Sequence, residues 1–183
     1  MALAACALAC FGALAFGSSA AEAKRWGCLN AHLHPTAKNA AAINKAILCL
    51  VDQIRRARGL PRLHPNGALG SVASSQVVTM VRSDYFADIR PSGQTPLALV
   101  GVTSYPDHTE AVAVGQNIAW GTGGLATPAH IVAAWMASPP HRANILSREY
   151  RDAGVAMTPA VPNVLRVGHS GATYAFEFGV RRF

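Results

Sequence analysis

Several marks of common chemistry are missing from this sequence. It has no His-Glu-x-x-His, no Walker loop, no Gly-x-Ser-x-Gly and no calcium-loop spacing. That removes the usual zinc-peptidase, phosphate-loop, nucleophile-elbow and EF-hand readings. Cys-x-x-Cys is also missing, so no cysteine-based metal knuckle is expected. Acids are scarce: nine Asp and Glu stand against sixteen Lys and Arg, for a net charge of +7. A basic balance favours anionic partners such as wall polymers, lipid head groups or nucleic acid. The cations are scattered, from Arg55, Arg56, Arg58 and Arg62 to Arg181 and Arg182, and lack interleaved aromatics. Nucleic acid is therefore not an expected partner. No repeat and no linker divides the 183 residues, so one domain is expected.

A long apolar run occurs only at the start. Residues 1–17 are almost all Ala, Leu, Cys, Phe and Gly, and Ala21-Glu22-Ala23 fits a small-x-small cleavage site. The expected organisation is a signal peptide over 1–23, a tail over 24–36 and a domain over 37–183. A retained N-terminal anchor is the alternative, because no basic residue precedes the apolar run. The run is short for a bilayer span of about 20 residues. No membrane span is expected once it is removed. A monomer that is secreted, extracellular or in the cell envelope is the expectation. Cys6 and Cys10 would leave with the leader, and Cys28 and Cys49 remain. An even pair in an exported chain is expected as a disulfide. It would tie the tail to the first helix and contribute about 3 kcal/mol in the chain-entropy model.

Along the chain, Ile43, Ile47, Leu50, Val51 and Ile54 recur at helical spacing and predict a helix from about Thr36 to Arg58. Arg55, Arg56 and Arg58 would complement its C-terminus, and Gly59 would stop it. Asn66 is expected to cap a second helix over about 67–84, with Leu69, Val72, Ala73, Val77 and Met80 inward. Residues 88–114 read as a long connection with a short helix over Pro96 to Val102. Strands are expected over Gly154 to Met157, over Val164 to Val167 and from Thr173, with a turn over His169 to Ala172. In the last strand Tyr174, Phe176 and Phe178 alternate with Ala175, Glu177 and Gly179, so its aromatic face is the buried one. Helices, then strand and helix, then strands give an α+β layered class.

The informative stretch is 115–154. A strand over Asn117 to Trp120 runs into Gly121 to Gly124, and Thr127-Pro128 opens a helix with Ile131, Val132, Trp135 and Met136 on one stripe. Ser138-Pro139-Pro140 stops that helix, and His141 is expected to open a second one. Gly121-Thr122-Gly123-Gly124-Leu125-Ala126 imitates a dinucleotide loop but lacks the second strand and acid such a site needs. Its glycines are read as turn residues. A Ser138-His141-Asp88 hydrolase set is poorly spaced for in-line attack.

Gly-Gln-Asn-Ile-Ala-Trp-Gly at 115–121, then Trp-Met-Ala-Ser-Pro-Pro-His-Arg-Ala-Asn-Ile-Leu at 135–146, resembles the bacterial branch of the CAP superfamily. These are SCP-like extracellular domains related to cysteine-rich secretory and pathogenesis-related proteins. Gly59-Leu60 between two helices extends the resemblance over most of the chain. It implies a three-layer α-β-α sandwich. It also implies a cleft lined by histidines and acids, which in some members holds a divalent metal.

Carried over by position, the cleft histidine is His141. Gln116 replaces the family's glutamate, and Asp88 replaces its other cleft histidine. A histidine often found in the second helix would fall at Gln76. One imidazole, one carboxylate and one amide are expected to give weak divalent binding at most, so no cofactor is assigned. The resulting expectation is a binding protein for a lipid or cell-envelope component at His141, Gln116 and Asp88, with no catalytic residue. A metal-dependent hydrolase or peptidase, and a structural or interaction domain, are the alternatives. In the structural alternative the three side chains form a hydrogen-bonded cluster that locks the corner.

Overall fold

The computed structural model describes residues 27–165, 167 and 171–183. The expected signal peptide, the first residues of the tail and His169 lie outside them.

The first apolar stripe forms helix α1, Ala40–Arg56, entered through a 3-10 turn at Ala37–Asn39. Ile43, Ile47, Leu50 and Val51 are buried on it, and Gly59 takes the left-handed conformation (φ +67°) just beyond. Cys28 and Cys49 form a disulfide between the tail and the middle of α1, as the pairing in sequence suggested. Helix α2 spans Gly67–Arg82, and the side chain of its cap, Asn66, accepts from the Leu69 N–H. Helix α3 spans Pro96–Gly101, where Thr95 caps and Pro96 fills the first turn.

The sheet has four strands: β1 at His64–Pro65, β2 at Ala111–Thr122, β3 at Asp152–Thr158 and β4 at Gly171–Arg182. Their spatial order is β1-β3-β4-β2, with β1 parallel to β3 and the other pairs antiparallel. β2 is much longer than expected, because it pairs along the whole of β4, from Ala111 opposite Arg182 to Thr122 opposite Gly171. The expected strand over Val164 to Val167 is instead a 3-10 turn at Asn163–Leu165. Pro162 fixes a turn-compatible φ there, and the Val164 N–H is taken by the Asp84 carboxylate at 2.6 Å.

Helices cover both faces of the sheet. Tyr174, Phe176 and Phe178 face a core made with α1 and with helices α4, Pro128–Ala137, and α5, Pro139–Leu146. Ala175 faces Ala73, Val77 and Met80 of α2. Layers of helix, sheet and helix make the α+β class a three-layer sandwich. Burial of one aromatic face was expected, but residues 172–179 of β4 are buried on both faces, Glu177 included. Gly154 allows the second face to close: a Cβ there would lie 2.1 Å from the Leu69 carbonyl carbon of α2. Gly154 and Glu177 are register partners, so this approach helps bury Glu177.

Candidate functional site

Asp88, Gln116 and His141 come from three elements that meet at the outer edge of β2. Gln116 is buried on β2, on the α2 side of the sheet. His141 stands in the first turn of α5, which opens two residues before the expected start, at Pro139. Two leading prolines are tolerated because first-turn N–H groups have no intrahelical partner. The His141 residue is half-buried. Asp88 lies on the loop leaving α2. That loop is fixed by buried Gln76, whose Nε2 donates to the Ala87 carbonyl at 2.9 Å and the Asp88 carbonyl at 3.4 Å. Arg90 holds Gln76 in turn, its Nε donating to Gln76 Oε1 at 3.1 Å and its Nη2 to Ser75 Oγ at 2.8 Å. Gln76 is thus a brace for the loop.

A cluster of His141, Asp88 and Gln116 joined by mutual hydrogen bonds is not what forms. Among the described residues neither the His141 imidazole nor the Asp88 carboxylate has a hydrogen-bond partner. The corner is locked by two asparagines instead. Asn117 Nδ2 donates to the His141 carbonyl at 3.0 Å, and Asn144 Nδ2 donates to Asn117 Oδ1 at 2.9 Å and to the Gln116 carbonyl at 3.1 Å. Both asparagines stand inside the two motifs, Gly-Gln-Asn and His-Arg-Ala-Asn, where the signal was available. Trp135 adds a further tie, its Nε1 donating to the Ile118 carbonyl at 3.0 Å. Trp135 is core, edge-on to Phe176, whereas Trp120 reaches the surface.

The electrostatics join the set at longer range. Asp88 is exposed as a residue, yet its carboxyl is desolvated enough to raise its pKa, with the nearby His141 opposing the rise. Gln116 Nε2 donates to Glu177 Oε1 at 2.5 Å. Glu177 is fully buried, and burial pushes its carboxyl up to about 8. Asp88 adds to that rise, while the Gln116 hydrogen bond and Arg90 oppose it. Reading the last strand as half-exposed hid this residue. Its signal was its register, directly across from Gln116.

Among the described residues no three His, Cys, Asp or Glu side chains gather as a metal-holding group. Ser138 makes no hydrogen bond with His141, so no nucleophile–base contact is present. A concavity of about 300 Å³ lies to the side of Asp88, Gln116 and His141. Val72, Leu99 and Val102 line it with Ser75 and Arg90, so it touches the brace and not His141.

The model of the cysteine-rich secretory protein family, CAP, matches residues 48–162, which hold the α1 disulfide cysteine, Gln76, Asp88, Gln116 and His141. The chain belongs to the CAP family. A relative from Bacillus subtilis (strain 168), described as uncharacterized protein YkwD, is 30% identical over 118 residues. The match covers 63% of this chain and 42% of that protein, so this CAP chain spans under half the length of its curated relative. An outer surface protein of Borrelia burgdorferi superposes with a TM-score of 0.61 at 17% identity, covering 75% of this chain and 92% of its own. An extracellular SCP-domain protein of Bacillus anthracis str. Ames gives 0.61 at 20%, covering 81% and 44%. At these identities the two structures support the CAP fold alone.

Proposed function

We propose that this CAP domain is an exported binding module that holds a lipid or cell-envelope component at the cleft between Asp88 and His141, without chemical change to it. One observation carries the reading. Among the described residues the two side chains have no hydrogen-bond partner, while the backbone beneath them is pinned by Gln76, Asn117 and Asn144. Polar groups placed this way are pre-organised and still have their bonding capacity for a ligand. Export agrees with the apolar leader and with relatives described as extracellular or outer-surface proteins. No helix among the described residues is long and apolar enough to cross a membrane.

The test is incubation with phospholipid vesicles and with purified wall polymer, with and without chelator. Saturable association, with the polymer and lipid recovered intact and no effect of chelator, is expected. Turnover that chelator abolishes would overturn the reading in favour of a metal-dependent hydrolase.

A further inference from the structure

We propose that Gln116 and Glu177 share one proton as a cyclic acid–amide pair, which makes the floor of the cleft a proton-binding site without negative charge while the proton is held. The two residues are register partners on β2 and β4 and project to the same face of the sheet. One bond of the ring is present, Gln116 Nε2 donating to Glu177 Oε1 at 2.5 Å. The two atoms left over, Gln116 Oε1 and Glu177 Oε2, are both buried and both without a partner. With Glu177 ionised, both are acceptors and neither can satisfy the other. A proton taken from solvent onto Glu177 Oε2 turns that atom into a donor toward Gln116 Oε1. A single proton thus satisfies both orphans, each of which otherwise costs about 1–3 kcal/mol, and more for a charge.

Arg90 is the cation that acts on Glu177, and among the described residues it makes no hydrogen bond to the carboxyl. Arg90, on the loop after α2, is engaged by Gln76 and Ser75. Asp88 on the same loop repels a second negative charge, and His141 of α5 acts on Asp88. From α2 come the neutral Gln76 and, at its exit, Tyr85. From β3 comes Gly154, with no side chain. Burial raises the Glu177 carboxyl to about 8, in the direction the pairing requires. The position that the family fills with a glutamate holds an amide, and the carboxyl stands one strand away in neutral form.

The inference does not depend on the ligand. Because the folded chain holds a proton that the unfolded chain releases, its contribution is full below about 4.5. It is lost as pH rises from 4.5 toward about 8, and is flat above. The decisive experiment is a carboxyl-carbon NMR titration of the wild-type chain. A Glu177 resonance titrating near 8 is expected. Titration in the ordinary range, about 4.3, would overturn the pair. Glu177→Gln supplies an independent readout, since an amide pair makes the same two bonds with no proton. Wild type should lose stability relative to E177Q across the window from 4.5 to about 8, and parallel pH profiles would contradict the proposal. Should E177Q not fold, the wild-type titration decides alone.

Discussion

Arg55 shows how far one side chain can depart from its expected place. It sits among cations expected at a solvated helix end, yet it is fully buried. Its Nε donates to the Pro61 carbonyl at 2.9 Å, its Nη1 to the carbonyls of Ile145 and Ser147 at 2.8 and 2.9 Å, and its Nη2 to that of Tyr150 at 3.2 Å. Desolvation lowers its pKa, with Asp52 opposing, and the guanidinium stays charged. It pairs carbonyls at the end of α5 and in the turn into β3. Arg55→Leu should therefore cost about 3 kcal/mol in urea unfolding, because it strands those carbonyls. A loss under about 1 kcal/mol would show that water replaces the guanidinium. The helical period places Arg55 one turn after Val51, beside the buried stripe, and turns Arg56 away from it. What the period does not carry is the set of carbonyls the guanidinium meets, which lie on and after α5, ninety or more residues away in sequence. His141 and Gln116 were legible because they stand in dense motifs. Glu177 was not, since its role comes from a strand partner 61 residues away.

At the scale of elements, the close seat of α2 on β3 depends on one missing Cβ. Gly154→Ala places a methyl within 2.1 Å of the Leu69 backbone, which no rotamer change relieves. A loss of about 3 kcal/mol is expected in thermal or denaturant unfolding, since such overpacking forces the backbone to move. A change within 0.5 kcal/mol would mean that α2 slides freely on the sheet. The disulfide acts on a different element. Replacing Cys28 and Cys49 with Ser together should cost about 3 kcal/mol without altering the sheet, as the chain-entropy account for a separation of 21 residues implies. Helices α1 to α5 were visible from period, caps and prolines. β2 was seen only at its centre, because Ala111 to Gly115 join it through pairing with β4 and have no apolar alternation of their own. The turn at Asn163–Leu165 looked like a strand for the opposite reason: it is apolar, but β4 already has a partner on each side.

At the scale of the whole molecule, the account is one of a sandwich that spends its polar side chains on holding a corner. Asn117, Asn144, Gln76 and Arg55 all bond backbone carbonyls near the edge of β2 or the α5 turn. Among the described residues the Asp88 carboxylate and the His141 ring make no hydrogen bond, and His141 acts on Asp88 only electrostatically. The fold was legible because the motifs and the helical periods agree. The state of the candidate site was not, because it depends on which side chains are consumed internally, and only tertiary contacts decide that. The claim that rests on this difference is that the His141 ring serves a ligand and not the fold. The most direct test is calorimetric titration of wild type and His141→Ala with the wall polymer or vesicle preparation that wild type binds, alongside their unfolding midpoints. The account predicts binding at least about tenfold weaker in H141A, a loss of about 1.4 kcal/mol, with an unchanged midpoint. Equal affinity in the two proteins, or a midpoint that collapses together with binding, would contradict it.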